Sequence, residues 1–332
     1  MNYKEFLDRV SDDLQRELPG AQVSVTTVQK LQGESYQGIT IMQDGSAAAP
    51  SINLQYAYEE VQRGTPYWDI LSEIVAMAGE ALEKGRGLDP ERIQNYAAAK
   101  ELLTLSLVPV RGNEEMLKDL PHKEIEDLAV IYRAELSPGA TVVINNSLLQ
   151  NYGITADQLH EDALINSQEK APASVRPMFE VLGVPEELAP EGPPALYVAT
   201  TASGHLGAGV IAYPGVMEQA AEKLGGDFFV LPSSIHEVLL VRANDPEEYH
   251  SLEAMVRQIN EAEVAPADRL SDRVYHYDSK EHMFELAEKF AERSREKTAE
   301  RGGLDKLKEK KAEAALQPKH SSSGRGREAL AL

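Results

Sequence analysis

The segment Leu231–Val241 combines side chains that could do nucleophilic or acid–base chemistry with an apolar, strand-like setting. Ser233, Ser234, His236 and Glu237 lie within five residues, between two apolar runs. Polar and titratable groups next to a core are costly unless they are hydrogen-bonded or functional. The segment is therefore the first candidate for a functional site.

A hydrolytic role would use Ser234 as the nucleophile and His236 as its base. On a strand these two residues would share a face about 6.6 Å apart, and Glu237 would point to the other face. The acid that orients the imidazole would then come from elsewhere, such as Asp227 or Asp272. The Gly-x-Ser-x-Gly elbow of many serine hydrolases is missing.

A structural role explains the same residues more simply, and we favour it. Pro232-Ser233-Ser234 is typical of a hairpin turn whose hydroxyls cap backbone groups. His236 would then be a hydrogen-bonded strand residue at a sheet edge. Contact with a ligand or a partner is a third interpretation, and the sequence identifies no catalytic residue with certainty.

Motifs for metals, phosphates and cofactors are weak. His236-Glu237 lacks the second histidine of a His-Glu-x-x-His helix. The glycines of Gly204–Gly209 lead into a predicted strand rather than a helix, which favours a turn over a phosphate cradle. A metal site needs several converging ligands, whereas the remaining candidates belong to separate predicted elements: His250, His276, Asp278 and His282. We therefore predict no metal and no cofactor.

Composition excludes several chemistries and indicates an acidic chain. Cysteine is absent, which excludes disulfides, thiolate nucleophiles and iron–sulfur clusters. Of the net charge of −21, residues 293–332 contribute a surplus of five positive charges, so the other 292 residues carry −26. Such an acidic core should repel nucleic acid. It leaves open an acidic protein that mimics DNA, although the acids are scattered among Lys and Arg.

The N-terminal residues and the hydropathy pattern indicate a cytoplasmic protein. Lys4 and Glu5 lie where a signal peptide would carry an apolar run. No stretch approaches the roughly 18 apolar residues of a membrane span. We therefore expect no contact with a membrane.

Hydrophobic periodicity predicts an α+β fold, with antiparallel sheets and helices packed on one side. The N-terminal part is predicted as a helix, a meander of strands and two helices, the second with Trp68 on its apolar stripe. The C-terminal part is predicted as ββαββα-like. Three further assignments are a helix at 174–182, a strand at 207–212 and a helix from residue 280.

The Pro- and Glu-rich segment Pro185–Pro194 is predicted to be a linker. It divides an N-terminal α+β region, residues 1–184, from a C-terminal α+β region, residues 195–297, which carries the Leu231–Glu237 motif. Residues 300–332 are predicted to be a disordered, basic tail. Whether the two regions share one core stays open at this point.

Several phrases resemble a bacterial family, the domain-of-unknown-function (DUF) family 5688. The resemblance spans roughly residues 1–290 and is most specific at Leu231–Glu237. It implies a bacterial source and a gene carried on a conjugative element or phage, and it implies no activity, ligand or catalytic residue. The other phrases are Asp127–Tyr132, Ile144–Asn146, Ala163–Asn166, Tyr213–Val216 and Leu270–Tyr275.

Missing catalytic signatures and this resemblance together predict a non-catalytic accessory protein that binds another protein. A hydrolase using Ser234 and His236 is the first alternative. An acidic DNA mimic that blunts host defences is the second.

Overall fold

The computed structural model shows three antiparallel sheets with helices packed around them. It describes residues 1–29, 35–43, 49–86, 91–137, 140–185, 188, 192 and 194–299. The tail predicted at residues 300–332 lies outside the described residues. The architecture confirms the predicted α+β class.

Residues 1–86 form an N-terminal unit with its own apolar core. β1, β2 and β3 make a three-stranded antiparallel sheet in that order. The apolar stripes of α1 and α3 pack against Ile39 and Ile41 of β2. The elements are α1 (Tyr3–Glu17), β1 (Ala21–Gln29), β2 (Ser35–Gln43), β3 (Ser51–Ile52), α2 (Gln55–Gln62) and α3 (Tyr67–Arg86).

The first helix begins at Tyr3 because Asn2 caps it. The Asn2 side chain accepts a hydrogen bond from the Glu5 N–H at 2.9 Å. The Glu5 carboxylate accepts one from the Asn2 N–H, also at 2.9 Å. This reciprocal capping box satisfies two donors that a helix start otherwise leaves unpaired.

Trp68 is not in the core, contrary to the sequence interpretation. Its residue surface is 61% exposed at the start of α3. The buried stripe of α3 instead begins at Ile70 and Leu71 and continues through Ile74. The helix is therefore rotated so that its tryptophan faces solvent.

Residues 91–170 build a second sheet around β6. β4 pairs along one edge of β6, while β5 and β7 pair along the other. The Thr155 hydroxyl caps α8 by accepting a hydrogen bond from the Gln158 N–H at 3.1 Å. The elements are α4 (Glu91–Gln94), α5 (Tyr96–Lys100), β4 (Leu103–Pro109), α6 (Glu114–Lys118), β5 (His122–Ile125), β6 (Leu128–Ser137), β7 (Ala140–Val143), α7 (Asn146–Tyr152) and α8 (Ala156–Lys170).

The third sheet has six strands in the order β13-β12-β10-β11-β9-β8. α10 packs on one face, and α11 and α12 pack on the other. None of the helices in the described ranges is both long and apolar enough to cross a bilayer. The elements are β8 (Ala173–Pro177), α9 (Met178–Val181), β9 (Leu196–Thr201), α10 (Val216–Leu224), β10 (Phe228–Leu231), β11 (Val238–Arg242), α11 (Tyr249–Ala262), β12 (Tyr275–Asp278), β13 (Met283–Leu286) and α12 (287–299).

The second and third sheets share the largest apolar core. Buried side chains of β4, β6 and α8 contact those of β9, β10 and β12 within one cluster. The segment Pro185–Pro194 lies between β8 and β9 in the chain, and these two strands pair directly, with Val175 opposite Ala199. Residues on both sides of the predicted linker therefore contribute to the same sheet and the same core.

Three segments differ from the predicted secondary structure. Residues 174–182 contain β8 and the one-turn helix α9 in place of a single helix. Residues Gly207–Ala212 form a buried 3₁₀ helix in place of a strand. After residue 280 the chain first forms β13 and only then a helix. In each case contacts with distant residues outweigh the local pattern.

Candidate functional site

The residues Pro232–Glu237 form the loop between β10 and β11, which we call the serine–histidine loop. β11 begins at Val238, two residues later than predicted. Ser234 and His236 therefore do not lie on one strand face, and the expected i, i+2 geometry of a nucleophile and its base is replaced by an irregular loop.

Hydrogen bonds to its backbone groups tie this loop to β9 and to two other connections of the fold. The Thr200 hydroxyl donates to the His236 carbonyl at 2.8 Å. The Ala208 N–H donates to the Ile235 carbonyl at 3.2 Å. Three backbone bonds join the loop to residues 268–271: Ile235 N to Asp268 O at 2.8 Å, Leu270 N to Ser233 O at 3.1 Å, and Ser271 N to Pro232 O at 2.9 Å. The loop thus satisfies its backbone groups by cross-linking distant segments.

Gly207 shows how tightly this corner is packed. A Cβ atom at this position would lie 2.1 Å from Thr200 Oγ1 and 2.5 Å from the His236 carbonyl oxygen. Both distances are far below van der Waals contact, so no other residue fits without moving the backbone. Gly207 therefore serves close packing beside the serine–histidine loop, whereas Gly204 has a positive φ of 71° and open space around it, as in a turn.

Ser234 caps a backbone group within the loop. Its Oγ accepts a hydrogen bond from the His236 N–H at 3.1 Å, as the structural interpretation expects. Ser233 contributes its carbonyl, which accepts from Leu270. The Ser233 hydroxyl and the Glu237 carboxylate are half-buried and make no hydrogen bond with another described residue.

Both imidazole nitrogens of His236 face groups other than Ser234. Nδ1 accepts a hydrogen bond from the Leu206 N–H at 3.2 Å, so the neutral ring carries its proton on Nε2. Nε2 lies 3.8 Å from a carboxylate oxygen of Asp268. The ring of His205 is also close, with the two centroids 5.5 Å apart. Leu206 has a φ of +51°, an unfavourable value for leucine that directs its N–H towards the ring.

The acids that the sequence suggested for the imidazole are elsewhere. Asp227 accepts hydrogen bonds from the N–H and the hydroxyl of Ser279, at 2.9 and 2.6 Å. Asp272 accepts from the Asn260 amide at 2.6 Å. The carboxylate that does face His236 belongs to Asp268, which no local motif marks. Its position follows from backbone pairing between two connections that are distant in the chain.

The Ser234 hydroxyl and the His236 imidazole have different hydrogen-bond partners. In the part of the chain that the structure describes, no hydrogen bond joins the Ser234 hydroxyl to an imidazole nitrogen of His236. The side chains of His236 and Asp268 are 34% and 42% exposed, so their contact is partly solvated. The chemistry of the site is that of a hydrogen-bonded corner with one solvent-facing imidazole.

A protein-family model matches residues 3–279, a range that runs from α1 to β12 and contains the serine–histidine loop. The chain belongs to the family of unknown function DUF5688. The match confirms the resemblance that the sequence showed. β13 and α12 lie beyond the end of the matched range. No curated protein and no solved structure matches the chain.

The DUF5688 chain also has a buried titratable cluster around His276 on β12. The imidazole is fully buried, and its nitrogens have no hydrogen-bond partner among the described residues. It stacks on Phe290 with the ring centroids 3.4 Å apart and the planes inclined by 4°. The nearest carboxylate oxygens belong to Asp227 at 4.0 Å and Glu285 at 3.9 Å. Burial lowers the pKa of His276 to about 4, although Asp227 and Asp278 act in the opposite direction.

The histidines considered for a metal site are dispersed. His282 is 62% exposed and faces Glu218 at 3.6 Å, whereas His250 is 63% exposed and faces Glu247 at 3.8 Å. Within the described ranges, no group of three or more histidines and carboxylates is arranged to hold a metal ion.

Proposed function

We propose that this DUF5688 protein is a non-catalytic accessory protein that acts by binding another protein. The serine–histidine loop supports the first half of this proposal, because its hydroxyl and imidazole groups take part in internal hydrogen bonds. The family resemblance supplies the proposed setting, a conjugative element or phage in the bacterial cytoplasm.

The observation that carries the proposal is an exposed aromatic patch on the N-terminal unit. We call Arg9, Tyr67 and Trp68 the Trp68 patch. The Trp68 ring packs edge-on against Tyr67 with centroids 5.3 Å apart. The Arg9 guanidinium carbon lies 3.9 Å from the Tyr67 ring centroid and 5.8 Å from that of Trp68.

The composition of the Trp68 patch fits a binding surface. Tryptophan, tyrosine and arginine are the residue types most enriched among interface hot spots. The exposed indole presents apolar area to water that a partner would cover. The contacts among the three side chains restrict their rotamers before binding, which lowers the entropic cost of association.

A pull-down from a bacterial host that naturally encodes the gene, followed by binding of the purified pair, tests the proposal. We expect a stoichiometric partner with the wild-type chain and a loss of at least about tenfold in affinity for Trp68→Ala. Met255→Ala is the matched control, since Met255 is 40% exposed on α11 and belongs to the other unit. Repeated recovery of the chain alone would overturn the proposal, and equal binding by Trp68→Ala would remove the patch from it.

Hydrolysis by Ser234 and His236 is the competing activity, and a fluorophosphonate probe distinguishes it. We expect no labelling of the wild-type chain above the level of Ser234→Ala. Labelling that depends on both Ser234 and His236 would show an activated serine and contradict the non-catalytic assignment.

The DNA-mimic alternative requires carboxylates in continuous arrays. The described surface instead interleaves acids with cations, for example Lys289 with Glu126 at 2.6 Å and Arg273 with Glu288 at 2.6 Å. Such ion pairs partly cancel the negative electrostatic potential of the protein surface. Stoichiometric displacement of duplex DNA from a DNA-binding defence protein would favour the mimic over the proposal.

A further inference from the structure

A cleft with several charged side chains in its walls borders Leu270 and Ser271, whose N–H groups donate to the serine–histidine loop. It has a volume of about 610 Å³, within the range of small-molecule sites. Its walls come from three parts of the chain: the turn after β4 at residues 109–112, Asp127 in the β5–β6 turn, and residues 269–273 before β12. The cleft therefore forms where the second and third sheets meet.

Hydrogen bonds hold the walls of this cleft in place. The Val110 N–H donates to the Asp127 carbonyl at 2.9 Å, which joins the first two walls. The Tyr275 hydroxyl donates to the Asp127 carboxylate and so joins the second wall to β12. The Ser271 hydroxyl accepts from the Arg273 N–H at 2.9 Å, and the neighbouring backbone bonds to the serine–histidine loop fix the third wall. A ligand would bind a preformed shape.

The charges of the cleft differ in sign from those of the chain as a whole. Three arginines and two aspartates line it, whereas the whole chain carries a net charge of −21. Asp127 accepts from Tyr275, and the other aspartate, Asp272, accepts from Asn260 at 2.6 Å. Both carboxylates therefore accept hydrogen bonds from neutral internal donors, which leaves them less able to offset the arginine charges.

Arg111 is the cation most available to a ligand. It is exposed at the cleft and makes no hydrogen bond or ion pair with another described residue. Arg273 is oriented by Glu288 at 2.6 Å and by Glu253 at 3.5 Å. Arg269 is oriented by a bond from its Nε to the Val264 carbonyl at 3.1 Å. Guanidinium groups bind carboxylates and phosphates through paired, charge-assisted hydrogen bonds.

We propose that this cleft binds a small anionic molecule through a phosphate or carboxylate group, with Arg111 as its principal contact and Arg269 and Arg273 as the flanking cations. The inference is independent of the Trp68 patch, which belongs to the other unit of the chain. It adds a ligand site that the protein-binding proposal does not require.

Calorimetric titration of the full chain with pyrophosphate and, separately, with citrate tests the site at constant ionic strength. We expect saturable binding of at least one probe, and binding weaker by about tenfold or more in Arg111→Gln. Arg92→Gln is the matched control, because Arg92 is an exposed arginine on α4 outside the cleft walls. Preference for pyrophosphate would assign the phosphate class, and preference for citrate would assign the carboxylate class.

Two results would overturn the inference. The first is the absence of binding of both probes to the wild-type chain at millimolar concentrations. The second is equal affinity in the wild-type chain and Arg111→Gln, which would show that any bound anion lies elsewhere. Because Arg111 is exposed, its variant should keep the wild-type circular dichroism spectrum, so that a change in binding reports on the cleft.

Discussion

We call the second and third sheets with their shared core the second unit. Burial of His276 should make the stability of this unit fall as the pH is lowered through the range in which histidine titrates. The folded protein holds the pKa of His276 at about 4, below the ordinary value of 6.5, chiefly because burial penalises the charged ring. The unfolded chain therefore binds a proton that the folded chain does not. This contribution to stability is complete above about pH 6.5 and is lost as the pH falls towards about 4.

The two pKa values set the size of the effect. At about 1.4 kcal/mol per tenfold change in proton affinity, the full loss is about 3 kcal/mol, of which about 2 kcal/mol is lost by about pH 5. Glu285 acts in the opposite direction, because burial raises its pKa. The wild-type profile therefore combines both groups, and only its difference from a histidine variant isolates the imidazole.

His276→Phe is the informative variant, since it removes the titration and keeps a ring that can stack on Phe290. Urea unfolding between about pH 7.5 and about pH 5 should show a wild-type free energy of unfolding that falls about 2 kcal/mol more than that of the variant. Far-UV circular dichroism or amide exchange in β12 is the suitable readout. The fluorescence of Trp68, the single tryptophan, reports on the N-terminal unit.

His250→Gln serves as the control for replacing a histidine at an exposed position, because the His250 side chain is 63% exposed. His276→Phe is expected to have a lower free energy of unfolding than the wild type at every pH, because the phenylalanine ring is larger. This constant offset does not test the pH dependence. A difference between the wild type and His276→Phe that stays constant across this pH range would refute the reasoning.

Three further changes test the packing described above. Gly207→Ala should destabilise the second unit by at least about 2 kcal/mol in urea unfolding, because the new Cβ atom has no room. Gly79→Ala is the control, and it should be neutral or stabilising because Gly79 has open space around it in α3. A double-mutant cycle of Tyr275→Phe and Asp127→Asn should give a coupling of about 1–3 kcal/mol for their buried bond, and additive effects would contradict it. Trp68→Ala should change the free energy of unfolding of the N-terminal unit by less than about 1 kcal/mol, and a larger loss in thermal unfolding would place the indole in the core.

Local signals in the sequence were sufficient to predict elements whose contacts lie between residues close in the chain. The apolar stripe and the Pro19-Gly20 stop predict a first helix from Tyr3 to about Leu18, within one residue of the observed end of α1. Alternation predicts the β1–β2 hairpin, whose register runs from Ala21 opposite Gln43 to Gln29 opposite Ser35. The predicted backbone cap in the serine–histidine loop is present at Ser234. Each of these features depends on neighbours that are close in the chain.

Features that depend on distant partners could not be predicted. β8 looks helical from its own residues and becomes a strand because it pairs with β9. Asp268 faces His236 because a loop and a 3₁₀ helix in different connections pair through their backbones, and backbone pairing leaves no pattern in side-chain types. The cleft at Arg111 likewise assembles residues that are up to 164 positions apart, from Pro109 to Arg273.

The ladder between β8 and β9 has a consequence for protease treatment of the chain. Cleavage within residues 186–193 would leave one fragment ending after β8 and the other starting before β9. The two fragments would stay associated through the five residue pairs between β8 and β9 and through the shared hydrophobic core. The two fragments should co-elute under non-denaturing conditions and separate only when the chain is unfolded. Two fragments that are divided at this site and co-expressed from separate genes should therefore assemble into the same folded structure.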